Sequence, residues 1–237
     1  MRSRILTVVA VAALVVLAAC SGSGGDGADS TELAARLSTA KDTLDSAGTL
    51  DIALSTSRVP DGVSGLLKAT GTGNRTPAFK GEITVSTGGS SLGADVVAID
   101  GTVWVKSSFS PAYLTVDPAD LQAPDPAALL DPDTGVTRIL VETKKLSDGG
   151  RTRDGSEVLT NIEGTLAGSV VQSVIPSADP DADFSVSYRL TDDDELHDAT
   201  LSGPFYPGSG DVTYKVVVTA SDKAVTITSP KSPTSDE

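Results

Sequence analysis

Residues 91–99 read SLGADVVAI, with Leu92, Ala94, Val96 and Ala98 at every second position and Gly93, Asp95 and Val97 between them. A strand turns successive side chains to opposite faces, so this spacing puts the four on one side of a sheet. The same period recurs toward the amino terminus, in "AFKGEITVS" at 78–86 (Phe79, Ile83, Val85), "GVSGLLKAT" at 62–70 (Val63, Leu67, Ala69) and "TLDIALSTS" at 49–57 (Leu50, Ile52, Leu54). The breaks are "GTGNRT", "TGGSS" and Asp100-Gly101, which is hairpin-turn chemistry. Strands joined by short turns, with no helix between them, make an antiparallel meander rather than βαβ units. One broad sheet with one wet face is expected.

Outward from this sheet the texture changes. Leu33, Leu37, Ala40, Leu44 and Ala47 fall in one helical stripe, with Asp29 and Glu32 at capping-box spacing and Gly48 as the expected stop. After the meander, "DPADLQAPDPAALLDPDTGVTRILVETKKL" has Asp-Pro pairs that start turns and short helices. A helix from Thr134 to Leu146 is expected, with Val136, Ile139 and Leu140 on one face and Asp131 and Asp133 at its cap. A strand over "SEVLTNIEGTL" (Val158, Ile162, Leu166) leads to a short helix "AGSVVQSVI", stopped by Pro176. Four more alternating segments follow: "DFSVSYRL", "LHDATLSG", "VTYKVVVTA" and "AVTIT". The class is α+β.

The amino terminus is of another kind. Arg2 and Arg4 precede an apolar run from Ile5 to Ala18 that ends in Leu17-Ala18-Ala19-Cys20. The run is too short, and its far flank too acidic, for a stop-transfer span, so it reads as a signal segment. Its ending resembles the bacterial lipobox, whose cysteine takes a diacylglyceryl group before cleavage; the alternative is an ordinary secretory signal with a chance cysteine. Cys20 is the sole cysteine, so it cannot form an intramolecular disulfide. Lipidation gives it a use, and two or more acyl chains suffice for stable anchoring. The glycine-serine stretch after it, to Ala28, is a tether with a span of roughly 16 Å. The expected organisation is a signal peptide at 1–19, the lipidated cysteine and tether at 20–28, one domain at 29–229 and a loose tail at 230–237.

Charge excludes some partners. The formal charge is −14, and removing Arg2 and Arg4 makes it more negative, so nucleic acid is repelled and an anionic bilayer is approached only through the anchor. Catalytic signals are thin. His197, the only histidine, sits in a strand after an acidic turn, and no second cysteine is present. "DPDTG" and "DPDAD" begin like calcium loops but lack the glycine and distal glutamate in register. No catalytic residue and no metal ligand is assigned.

Several of these segments together carry a resemblance. "DVVAIDGTVWV", "DPAALLDPDTGVTRILVETKKL" and "GTLAGSVVQSVIP", with the lipobox and the amino-terminal helix, resemble the LppX/LprA/LprF/LprG family of actinobacterial envelope lipoproteins, LprG-like in kind. The resemblance covers nearly the whole mature chain. The chain departs in its acidity and in Trp104, where relatives often have tyrosine. What the resemblance implies is a curved antiparallel half-barrel with helices on its concave face, enclosing an apolar cavity for acylated lipids or glycolipids. It implies a non-enzymatic carrier, anchored in the cell membrane and facing the periplasm, with an inner-membrane lipid exporter as partner. The cargo would be the only ligand besides the diacylglyceryl on Cys20, and a monomer is expected. Leu92, Ala94, Val96 and Ala98 would line the cavity opposite Leu129, Leu130, Val136, Ile139, Leu140, Val170, Val171 and Val174.

Elementary energetics fit such a carrier. Exposing a C16 chain to water forfeits roughly 12 kcal/mol at about 0.8 kcal/mol per CH2, so the chain must be hidden in transit. The same aliphatic residues would also serve as an ordinary packed core. In that case the domain is a structural or protein-binding envelope lipoprotein.

Overall fold

The structure is a computed structural model that describes residues 28–230. Helix α1 (Ser30–Ser46) leads into strands β1 (Thr49–Ser55), β2 (Gly65–Asn74), β3 (Ala78–Thr87), β4 (Ser90–Ile99), β5 (Thr102–Ser107) and β6 (Leu114–Val116). Short 3-10 turns at Pro118–Leu121, Ala128–Leu130 and Val136–Arg138 precede α2 (Ile139–Glu142). Then come β7 (Lys144–Asp154), β8 (Glu157–Ala167), α3 (Gly168–Gln172), β9 (Asp183–Leu190), β10 (Leu196–Gly203) and β11 (Val212–Ser221).

All strands join one antiparallel sheet of 11, in the order β6-β5-β4-β3-β2-β1-β11-β10-β9-β8-β7. The sheet is open, with β6 and β7 as its edges. The first and last strands meet in its middle, where Ile52 lies opposite Val218. One face carries α1 and the core: Leu33, Leu37, Ala40 and Leu44 pack with Leu50, Phe79, Ala98, Ile162 and Tyr188 in a single buried cluster. Asp100 and Gly101 both take left-handed backbone angles (φ 50° and 74°), the two-residue turn expected between β4 and β5.

α1 begins as read, with the Asp29 carboxylate accepting from the amides of Thr31 and Glu32. Its end differs. Ala47 is already extended and Gly48 takes no left-handed angle; the guanidinium of Arg75 caps the helix, donating to the carbonyls of Leu44, Ala47 and Leu130. The helix expected over Thr134 to Leu146 is also shorter. Thr143 turns extended, its hydroxyl donates to the Ile139 carbonyl at 2.7 Å in place of a helical amide, and Lys144 onward pairs with β8. Asp131 caps a turn rather than the expected helix, accepting from the amides of Asp133 and Thr134, and Asp133 contributes its amide to that turn rather than a capping carboxylate. "AVTIT" forms no strand, because β1 and β11 already have two partners each; its segment lies against the strand ends instead, where Asn74 Nδ2 donates to the Val225 carbonyl at 3.0 Å.

In β2 a bulge sits between Leu66 and Lys68. Leu66, not Leu67, therefore lies opposite Val85.

Candidate functional site

Antiparallel register lines residues of one face into rows across neighbouring strands. On the helix-bearing face the lower row is Leu50, Gly73, Phe79, Ala98 and Val103 from β1 to β5, and all five are buried. Four residues higher along β1, the row runs Leu54, Ala69, Ile83, Ala94 and Ser107, and none is fully buried. Val216 and Val218 of β11 extend this patch on one side, Val85 and Leu92 above it, and Val105 toward the edge. α1 and the 3-10 turns cover the lower end, while the upper end keeps a half-exposed aliphatic floor. From β11 to β5 it measures about 24 Å at about 4.8 Å per strand. An apolar surface of this extent is a candidate ligand face.

The residues expected to line a cavity divide accordingly. Leu92 and Ala94 lie in the open floor. Val96, Ala98, Leu130, Leu140 and Val171 are core, packed in the cluster beneath α1, and Ile139 and Val170 lean on that cluster. Val174 is buried as well, and Leu129 and Val136 are half-buried in the loop region. Alternation in the sequence puts Ile52, Leu54, Ala69, Ile83 and Val85 on one face of their strands but gives them no role. Val105, Val216 and Val218 carried the same signal.

Other hollows have different chemistry. One of about 430 Å³ lies among Lys145, Glu163 and the hydroxyls of Thr165, Ser185, Thr200 and Ser202. A second, of about 230 Å³, includes Glu157, Glu195 and His197. Neither includes a residue expected to line a lipid cavity.

His197 is a half-buried strand histidine. Its Nδ1 lies 3.0 Å from Asp198 Oδ2 and its Nε2 3.8 Å from Glu157, and no serine or threonine hydroxyl is bonded to it among the described residues. Asp154, His197 and Asp198 come close enough to suggest a metal. The space is taken, however: Arg189 bonds both carboxylates and Lys215 Nζ stands 3.1 Å from Asp198, so two cations already occupy it. Burial of Asp198 opposes its ionisation, but hydrogen bonds from Arg189, Lys215 and His197 outweigh this and pull its pKa down to about 2.

That shift has a measurable consequence. An unfolded aspartate titrates near about 3.9. The depressed folded value gives stability that is complete above pH 4 and lost as pH falls toward 2. Denaturant unfolding from pH 5 to pH 2 should show about 2 kcal/mol of loss that Asp198→Asn removes. An unchanged pH slope in the variant would refute this assignment.

The profile of the LppX_LprAFG lipoprotein family matches residues 29–229. The chain belongs to the LppX/LprAFG lipoprotein family. Two solved structures from that family share its fold. LprF from Mycobacterium bovis superposes with a TM-score of 0.67 at 14% identity, over 85% of this chain and 98% of LprF. The lipoprotein LppX from Mycobacterium tuberculosis gives 0.61 at 17% identity, over 84% and 100%. No curated protein matches the sequence. Membership implies an envelope location for this LppX/LprAFG protein. Cys20, the lipidation residue expected from the lipobox, lies outside the described residues.

Proposed function

We propose that this LppX/LprAFG protein is a non-enzymatic lipid carrier. It would hold the acyl chains of a lipid or glycolipid on the open aliphatic floor between β11 and β5, tethered through a diacylglyceryl group on Cys20. The observation that supports this reading is the contrast between the two ends of one face, fully buried below and only partly buried above, where Ile52, Leu54, Ile83, Val105 and Val218 lean on the core cluster but stay half-exposed. A domain evolved only for packing would gain about 25 cal/mol for each Å² of that floor it buried. The chain instead leaves the floor accessible, and acyl chains supply the missing cover. A small aromatic content leaves little for stacking sugars, so a head group would project from the rim. An inner-membrane exporter is the partner such a carrier requires.

Two substitutions test it. Ala94 lies half-buried in the floor, so Ala94→Trp should abolish uptake of a fluorescent fatty acid and leave the melting temperature nearly unchanged. Val96 is only 3% exposed and sits in the core cluster. Val96→Trp should therefore cost about 1–3 kcal/mol through overpacking. Uptake in Ala94→Trp equal to the unmodified chain would overturn the floor as the binding site, and no uptake by either chain would overturn the carrier reading.

A further inference from the structure

Charge is divided unevenly across the sheet. The contiguous half from β1 to β6 holds five acidic residues (Asp51, Asp61, Glu82, Asp95, Asp100) and five basic ones (Arg58, Lys68, Arg75, Lys80, Lys106), so it is formally neutral. The whole of the chain's net charge of −14 therefore falls elsewhere.

At the upper end of this neutral half the β5–β6 loop carries the most exposed large apolar side chain in the described structure, Phe109, which is 89% exposed. Leu114, at the start of β6, is 62% exposed and lies opposite Val105. Tyr113 stands beside them with Lys106 Nζ 6.0 Å from its ring centre. From Gly101 to Val116 there is no acidic residue. An apolar tip backed by a tyrosine and a lysine is the composition of a membrane-interface anchor, where the ring sits at head-group level and the ammonium reaches the phosphates. The same end opens the aliphatic floor, since Ser107 at the foot of the loop pairs with Ala94.

We propose that the β5–β6 loop is a bilayer-docking element, with Phe109 inserted among the lipid head groups and the floor's mouth turned to the membrane. The occupant is a lipid bilayer rather than a protein, because the charge division orients the domain toward an anionic surface without any basic patch. The acidic half is repelled and the neutral half approaches. Leu121 supplies the internal contrast. It is also bare, but it follows Asp117 and Asp120 beyond the lower end of β6.

The docking is tested apart from the carrier reading. The full chain is reconstituted into phosphatidylcholine–phosphatidylglycerol vesicles doped with bromine-labelled lipid, in a Trp104→Phe background with a single tryptophan placed by either Phe109→Trp or Leu121→Trp. The expected result is fluorescence at 109 quenched by about half and fluorescence at 121 left unchanged. Equal quenching at both positions, or none at 109, overturns the proposal. A second measurement keeps the two readings distinct: Phe109→Asp should slow loading from vesicles while leaving uptake of a fatty acid presented in free solution as in the unmodified chain. Loading from vesicles that is as fast in Phe109→Asp as in the unmodified chain would also overturn the docking. Loss of uptake from free solution would instead place Phe109 in the binding floor and overturn its role as a docking tip.

Discussion

Replacing Arg75 with methionine is expected to destabilise the domain by about 2–4 kcal/mol, through the loss of charged hydrogen bonds to three carbonyls. The guanidinium reaches from the β2–β3 turn to the end of α1, where it is half-buried, and partial burial lowers its pKa against the opposing pull of Asp45 and Asp131. It stays charged nonetheless, because arginine deprotonates far above any relevant pH. Methionine fills the space but leaves three carbonyls, of Leu44, Ala47 and Leu130, without that donor, and Asp45 without its second cation. At about 2–4 °C per kcal/mol for a domain of this size, the melting temperature should fall by about 10 °C. Arg75→Lys should recover only part of this, since one ammonium cannot reach three divergent acceptors. A methionine variant within about 0.5 kcal/mol of the unmodified chain would show that the helix end is held by something else.

The second large effect is a coupled pair. Gly73 lies directly under Leu130: a methyl group at position 73 would stand 2.1 Å from Leu130 Cδ1, well inside contact. Leu130 is fully packed in the core cluster and has nowhere to swing. Leu130→Ala should cost about 2–5 kcal/mol for the lost burial and the cavity. Gly73→Ala should cost about 1–3 kcal/mol through overpacking. In the double variant the added methyl enters the space that leucine vacated, so the combined loss should be smaller than the sum by about 1–3 kcal/mol. Simple additivity in chemical unfolding would mean that Leu130 moves freely.

These two sites also show where reading the sequence stops. Alternation at Leu50, Ile83 and Val96 was visible because the core face is aliphatic and the wet face polar, and the Asp29 cap was visible because its partner amides lie two and three residues ahead. Local signals of this kind survive in the sequence. β7 is not legible in the sequence because it is an edge strand exposed along almost its entire length, "KKLSDGGRTRD", so no period marks it and only its pairing with β8 makes it a strand. The cap by Arg75 was illegible for a related reason, since its acceptors are remote in sequence and Gly48 offered a plausible local stop.

The candidate site divides along the same line. Period two told which side chains share a face, and Leu92 and Ala94 follow from it. Nothing in the strand itself distinguishes Val96 from Ala94, because what separates them is how far α1 and the Ala128–Leu130 turn reach along the sheet. That reach is set by tertiary contacts, with Leu130 seated on Gly73 and Lys41 donating to the Pro132 carbonyl at 3.3 Å. The extent of the aliphatic floor is thus set by the covering elements and not by the strands themselves.

The pairing of β1 with β11 bears on how the molecule comes into being. For a chain exported amino terminus first, as an envelope location requires, β1 emerges early and β11 almost last, so the first strand waits with an unsatisfied edge until the end. β1 to β6 can zip up as successive hairpins and β7 to β10 can do so separately, but each assembly then ends in an open row of amides and carbonyls facing the gap where β11 belongs. Contacts so distant along the chain form slowly. Until they do, both open rows are templates for pairing with another nascent copy. A premature stop near Asp211 would leave every hairpin from β1 to β10 intact and still divide the sheet in two.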